Sequence, residues 1–239
     1  MLSIMVPAYN EELYLLTTVN SLINVAALNN LKLEIIIVND GSSDNTQKII
    51  DELRENHQFI KCITNKVNLG QGRSLIKVLK IVTGDKFLIV AGDGDITDKD
   101  LSSLFQNINR AEMVFLYFLN RELRGRFRNI ISMVYNIFHL LIFNVYIQYV
   151  SGPCIYPTER IKKIKINSKR TSFVAEITIK ILLQGGTYHE IAGQMQRGKV
   201  GSSSISIKNL FDVITSFLRL FFEVKVLRRD LYSKLPTRL

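Results

Sequence analysis

Lys86–Thr97 reads KFLIVAGDGDIT: an unbroken apolar run that stops abruptly at two aspartates with one glycine between them. Phe87, Leu88, Ile89 and Val90 show no polar alternation, so the run predicts a central strand covered on both faces. Asp93 and Asp95 then fall just beyond its carboxyl end, where open α/β sheets bind their ligands. Two carboxylates at this spacing can offer oxygen ligands to a hard divalent ion, and Mg²⁺ is held by one or two carboxylates together with substrate phosphates. The same letters also describe a turn with two solvated aspartates, so the neighbouring segments must discriminate.

On both sides of this stretch, strand and helix alternate at short intervals, which predicts α/β architecture with a mostly parallel sheet flanked by helices. Strands are expected at Ser3–Val6, Leu33–Val38, Phe59–Thr64, Met113–Leu119 and Thr187–Ala192. Asn10 stands where a helix N-cap belongs, with Glu11 and Glu12 in the first turn. Asp44 with Gln47, and Thr97 with Asp100, read as further helix starts, and Gly185-Gly186 closes a helix over Ala175–Gln184. Three of the loops after the early strands carry acidic or glycine-rich clusters: Asn39–Ser43, Asn68–Gly72 and Asp93–Asp95. In a parallel sheet such loops converge on one edge. Gly70-Gln71-Gly72 lets backbone approach a phosphate closely, with Arg73 supplying charge. A dinucleotide fingerprint is not met, because Leu75 stands where its third glycine belongs, and there is no Walker loop.

Composition narrows the class. A chain of 239 residues with 47% hydrophobic and 22% charged residues supports one large domain rather than a disordered segment. Thirty-one Lys and Arg against 21 Asp and Glu leave a net charge of +10, which favours anionic partners without choosing among them. Cys62 and Cys154 are isolated, so neither a zinc site nor a disulfide framework is indicated. The N-terminal MLSIMVP lacks a basic region and a cleavage site, so no secretory signal is expected and a reducing compartment is the default.

Four segments taken together, Ile4–Glu12 (IMVPAYNEE), Ile37–Thr46 (IVNDGSSDNT), Asn68–Gly72 (NLGQG) and Asp93-Gly94-Asp95, resemble family 2 of the inverting glycosyltransferases. That family shares the Rossmann-like, nucleotide-sugar-binding fold called GT-A. The resemblance is strong over about the first 120 residues, and within the family it is nearest to polyprenyl-phosphate sugar synthases of the dolichol-phosphate mannose synthase type. It implies that Pro7, Tyr9 and Glu11 frame the base and ribose of a UDP- or GDP-sugar, and that Asp40 accepts a hydrogen bond from the base. Gly70, Gly72 and Arg73 would lie near the phosphates. Asp93 and Asp95 would be the catalytic carboxylates and would hold Mg²⁺ or Mn²⁺. A GT-A domain is expected over residues 1–204, with a nucleotide-sugar half (1–119) and an acceptor half (120–204), followed by an amphipathic segment at 205–239.

For the acceptor, Arg128 and Ser132 match the Arg-x-x-x-Ser arrangement that helps hold lipid phosphate in the resembling synthases, with Arg121 as a second basic position. A solvated basic face is the plain alternative for the cluster Arg121, Arg124, Arg126 and Arg128. Ile130–Val150 holds 21 residues without a charge, enough by length to cross a bilayer. Its Asn136, His139, Asn144 and Gln148, and the Ser151-Gly152 pair at which the domain resumes, favour a helix half in the protein and half at a membrane surface. Two departures stand out: Gln148 where the family has an acid, and Pro153 where it has an aromatic. Glu176 falls at a family acidic position, with a surface helix glutamate as the alternative. Gln194–Ser203, with Arg197 and Lys199, resembles the family loop that covers the diphosphate and is a candidate lid. The apolar residues from Leu210 to Phe222 recur at helical spacing and suit an interfacial helix, with an amphipathic helix packed on its own domain or on another subunit as the alternative.

The expected activity is transfer of a sugar from a nucleotide sugar to polyprenyl phosphate, with the protein peripheral on the cytoplasmic face of an anionic membrane. No nucleic-acid partner is expected, and an oligomer stays open. Two alternatives remain: a saccharide or other non-lipid acceptor, which requires a base, and a non-catalytic nucleotide-sugar-binding module.

Overall fold

The computed structural model describes residues 1–120, 125–194 and 207–239, the side chains of 127, 128 and 207–210 excepted. Eight strands form one sheet in the order β3-β2-β1-β4-β6-β5-β7-β8. They are β1 (Leu2–Ala8), β2 (Leu33–Asn39), β3 (Ile60–Thr64), β4 (Lys86–Ile89), β5 (Met113–Phe118), β6 (Cys154–Pro157), β7 (Thr187–Gly193) and β8 (Thr237–Arg238). All neighbours run parallel except β6, which pairs antiparallel with β4 and β5. The same sheet therefore runs through both expected halves of the chain, and residues near the C-terminus add its last strand.

Alternation along the central strands divides two cores. Leu2, Ile4 and Val6 of β1 and Ile35 and Ile37 of β2 face helices α1 (Leu15–Leu28), α2 (Thr46–Asn56) and α4 (Asp98–Gln106). Met5, Ile36, Val38 and Phe87 face the opposite layer, built from α3 (Gln71–Val78), α5 (Arg126–Phe143), α7 (Phe173–Leu182) and α8 (Ile207–Phe221), with the short α6 (Thr158–Lys163) after β6. These strand residues are essentially without solvent exposure, and each such Ile, Leu or Phe contributes about 1.5–3 kcal/mol by burial.

Several local expectations are corrected. α1 begins at Leu15, not after Asn10, and has no acid in its first turn. Asn10 instead adopts a left-handed conformation (φ 55°), and its side chain accepts the Ser43 amide at 2.8 Å, while Glu12 accepts the Asn45 amide at 3.0 Å. These polar residues join the β1–α1 and β2–α2 loops rather than capping a helix. Asp44 does accept the Thr46 amide at the start of α2, but Gln47 bonds to Asn39 and Asp51 instead of closing a capping box. Thr97 caps α4 as expected, accepting the Asp100 amide at 3.1 Å. The uncharged run is not one helix: α5 stops at Phe143 because Asn144 turns left-handed (φ 57°), and Val145, Ile147 and Val150 return to the core. Among the described residues no helix is long and apolar enough to cross a membrane. Glu176 is not a surface residue either, being 3% exposed.

Candidate active site

The parallel strands β1, β2 and β4 end side by side, and a cleft of about 390 Å³ opens beyond their carboxyl ends. Pro7 is the next-to-last residue of β1 and Tyr9 and Glu11 follow that strand, Asp40 follows β2, Gly70 precedes α3, and Asp93 follows β4. All six line this cleft. Tyr9, 48% exposed, offers an open ring at its mouth. Gly72, Arg73 and Asp95 are not in its wall. Asn68, Gln71, Arg170 and Thr171 are, and the last two carry no signal in the early motifs.

Asp40 shows how the site is built. Its Oδ1 accepts the Asn65 side-chain amide at 2.7 Å and the Leu69 backbone amide at 2.9 Å, and its Oδ2 accepts the Gly70 amide at 2.9 Å. One buried carboxylate thus shapes the loop that enters α3. Gly70 in that loop has φ 86°, which a side chain would strain, and a Cβ there would lie 2.9 Å from the Lys169 carbonyl oxygen. Gly72 donates its amide to the same Lys169 carbonyl at 3.1 Å, and a Cβ on it would collide with the Ser168 carbonyl. Both glycines are needed for close backbone approach, but to the protein's own 168–170 segment.

That segment is held from behind. Glu176 accepts the backbone amides of Asn167 (3.0 Å) and Ser168 (2.8 Å), and Lys180, fully buried, bridges Glu176 at 2.7 Å and Glu223 at 2.9 Å. Burial by itself raises the Glu176 pKa, yet the Lys180 ammonium and these amides hold the carboxyl below its usual range. Glu176 is therefore an ionised support under the cleft wall, not an acid facing it.

The aspartate pair lies in the connection between β4 and α4. The β1–β4 ladder extends past the strand, with the Gly92 amide donating to the Pro7 carbonyl at 3.2 Å and Thr18 Oγ1 to the Gly92 carbonyl at 3.3 Å. Gly94 (φ 74°) then turns the chain so that Asp93 reaches the cleft and Asp95, partly buried, stands beyond its wall. Among the described residues no three His, Cys, Asp or Glu side chains gather into a metal-binding group. Asp93, in the cleft wall, is a hard oxygen donor that fits Mg²⁺ or Mn²⁺ completed by a diphosphate and water rather than a closed structural metal; Asp95 is two residues on and outside that wall.

On the acceptor side, Ser132 lies partly buried on α5. Arg121, Arg197 and all of the candidate lid Gln194–Ser203 except Gln194 lie outside the described residues, as does the side chain of Arg128. Gln148 donates its backbone amide to Glu190 at 2.6 Å, so an almost fully buried acid on β7 stands next to the position where the resemblance leads one to expect an acid. His139 is 2% exposed, with its Nδ1 2.8 Å from the Tyr135 carbonyl, and burial lowers its pKa to about 4, so it is a neutral core residue at physiological pH.

The glycosyl transferase family 2 profile matches residues 3–155. Similar proteins include the dolichyl-phosphate beta-glucosyltransferase ALG5A of Trichomonas vaginalis, 30% identical over 125 residues, which are 47% of this chain and 39% of that protein. The probable glycosyltransferase YdaM of Bacillus subtilis is 42% identical over 73 residues (30% and 17% of the two chains), and the abequosyltransferase RfbV of Salmonella typhimurium 34% identical over 107 residues (44% and 32%). The chain thus spans less than half the length of these relatives. Among solved structures, glucosyl-3-phosphoglycerate synthase from Mycobacterium tuberculosis, crystallised with Mn²⁺, UDP and glucosyl-3-phosphoglycerate, superposes with a TM-score of 0.66 over 92% of this chain and 79% of that one. At 15% identity this likeness concerns the fold alone, and it is the GT-A architecture that the motifs implied. With the profile covering more than half of its residues, the chain belongs to glycosyl transferase family 2.

Proposed function

We propose that the protein transfers a sugar from a UDP- or GDP-sugar to polyprenyl phosphate, with inversion, at the cytoplasmic face of a membrane. The observation that carries the donor half is the single cleft in which Pro7, Tyr9, Glu11, Asp40, Gly70 and Asp93 meet at the ends of β1, β2 and β4. In this reading the half-exposed Tyr9 ring and Pro7 frame the base, Glu11 faces the ribose, and the ordered Leu69–Gly70 backbone with Arg170 lines the diphosphate side. Asp93 and Asp95 would hold Mg²⁺ or Mn²⁺ on the diphosphate; the ion stabilises the negative charge that develops on the leaving group. An acceptor phosphate is already ionised at neutral pH, so attack on the anomeric carbon requires no general base.

The membrane half rests on two exposed apolar stripes. On α5, Ile130, Met133, Val134, Ile137, Phe138 and Leu141 are all exposed, and on α8 so are Phe211, Ile214 and Leu218. The two helices touch where Phe217 packs on Phe138, His139 and Phe143, so the stripes form one face. With a net charge of +10, insertion of this face and attraction to anionic headgroups act together. A saccharide or other non-lipid acceptor is the second reading, prompted by an abequosyltransferase and poly-beta-1,6-N-acetyl-D-glucosamine synthases among the relatives. Turnover of UDP- and GDP-sugars with Mn²⁺ is to be measured against polyprenyl phosphate and against oligosaccharide acceptors. Transfer to polyprenyl phosphate, lost in Asp93→Asn, is the expected result; transfer to saccharides alone would establish the second reading instead.

A further inference from the structure

A second cleft, of about 520 Å³, opens where the segment between α6 and α7 meets the end of α8 and the π-helical turn Phe222–Leu227 that continues it. It shares no wall residue with the donor cleft. Three cations line it, Lys165, Arg219 and Arg228, together with three apolar side chains, Leu218, Phe222 and Leu227. Each of these six is exposed.

Among the described residues no carboxylate pairs with Lys165, Arg219 or Arg228. Glu223, the acid in the wall, gives its Oε2 to Lys180 and to the Asn167 side chain at 2.8 Å, and its Oε1 is buried without a hydrogen bond, so the lining carries three cations against one carboxylate that is ion-paired to Lys180. The apolar side of the cleft is equally specific in placement. Leu218 and Phe222 prolong the exposed α8 stripe that begins at Phe211 and Ile214, so the stripe runs directly into the three positive charges. A helix lying in a membrane interface puts its apolar residues at acyl depth and its flanking cations at the level of the phosphates. The volume suits a whole headgroup rather than a single ion.

We propose that this cleft binds the headgroup of an anionic phospholipid, its phosphate against Lys165, Arg219 and Arg228 and its upper acyl carbons along Leu218 and Phe222. The proposal rests on the reading of α8 as membrane-facing, but it concerns a bilayer lipid and not the sugar acceptor, since the cleft lies apart from the donor site.

The test uses the full chain and monomeric dihexanoylphosphatidylglycerol below its micellar concentration, with dihexanoylphosphatidylcholine as the zwitterionic control, followed by calorimetry without donor or acceptor. Saturable one-site binding of the anionic lipid is expected, weakened about 25-fold in R219Q/R228Q at roughly fivefold per cation. Both arginines are exposed, so the double variant keeps its fold. F211S/I214S, which strips the stripe outside the cleft, should retain monomer binding while losing adsorption to phosphatidylglycerol vesicles. Equal affinity for the two lipids, or unchanged binding in the double variant, would overturn the proposal. Stoichiometric displacement by geranyl phosphate would overturn it too, by making the cleft an acceptor site. A chain found to glycosylate only soluble saccharides would still pass or fail this binding test independently.

Discussion

Replacing Asp40 by Asn separates two accounts of this residue. The family resemblance has it accept a hydrogen bond from the base, whereas its observed partners are Asn65 and the Leu69 and Gly70 amides. Asparagine keeps one acceptor oxygen. If that oxygen stays with Asn65 and Leu69, the new NH₂ faces the Gly70 N–H, donor against donor. A hydrogen bond to an ionised acceptor is worth about 1.5–3 kcal/mol, and a stranded donor that is only part-buried adds about 1 kcal/mol, so the local cost is about 2.5–4 kcal/mol. A domain of ordinary stability, about 5–15 kcal/mol, survives this, and the 65–70 loop loosens instead. Nucleotides that require the ordered loop should then bind about 60- to several-hundredfold more weakly, at tenfold per 1.4 kcal/mol. The loss should be equal for UDP, GDP and ADP. Calorimetry with the three diphosphates in Mn²⁺, beside amide hydrogen exchange over 65–72, reads both effects. If the UDP-to-GDP affinity ratio collapses while exchange in the loop is unchanged, Asp40 reads the base directly and the loop account is refuted.

Other perturbations test other parts of the molecule. Asp95→Asn should abolish the Mn²⁺ dependence of donor binding while leaving the thermal midpoint within a degree or two, since it lies in a loop outside both cores; unaltered metal dependence would remove Asp95 from the metal. Gly72→Ala should destabilise by about 1–3 kcal/mol through overpacking on the Ser168 carbonyl, and a urea midpoint equal to wild type would show that the contact yields. Burial raises the Glu34 pKa, but hydrogen bonds from Lys61, Ser3 and Thr83 to the ionised form bring it down to about 2 from 4.5. Because the folded pKa is the lower one, its contribution of about 3 kcal/mol is complete above about pH 5.5 and is lost as pH falls through 4.5 toward 2. Glu34→Gln should therefore cost stability at pH 7 and progressively less on acidification, and a deficit independent of pH would contradict the linkage. Lys180→Met should cost about 3–5 kcal/mol by leaving Glu176 and Glu223 buried without their cation, whereas a neutral effect would mean that the cluster is not ionised.

Much of this architecture is legible in the letters, for a physical reason. A parallel sheet covered on both faces writes its strands as apolar runs; β5 and the part of β4 after Lys86 are unbroken ones, and the runs in β1 and β2 are interrupted near their starts only by Ser3 and Glu34, which hydrogen-bond to each other. Loops that follow parallel strands converge, so Asp40, Gly70 and Asp93 can be brought together before any coordinates exist. β6 escapes because Cys154–Pro157 is only four residues long and is defined by antiparallel pairing with β4 and β5, partners far away in sequence. β8 is two residues. The long uncharged run misleads because its composition does not record that Asn144 is left-handed. Arg170 and Thr171 reach the cleft only because the carbonyls of Ser168 and Lys169 press on two glycines about 100 residues earlier, a contact that no local pattern encodes.

The Glu176–Lys180 pair shows how position changes the meaning of a familiar spacing. Acid and base four residues apart on a helix ordinarily make a solvated pair worth a few tenths of a kcal/mol. Here α7 is surrounded by other elements, so the pair is buried and has recruited Glu223 from the π-helical turn after α8. Stability alone does not account for it, since well-packed apolar residues often match or exceed a buried ion pair. What apolar residues cannot do is accept the Asn167 and Ser168 amides. Those two bonds fix the backbone whose next carbonyls meet Gly70 and Gly72, and the Gly70 amide in turn binds Asp40 at the floor of the donor cleft. The ionised cluster therefore makes geometry rather than strength its contribution: it sets one wall of the site, and it ties that wall to the C-terminal helix whose exposed face is proposed to meet the membrane.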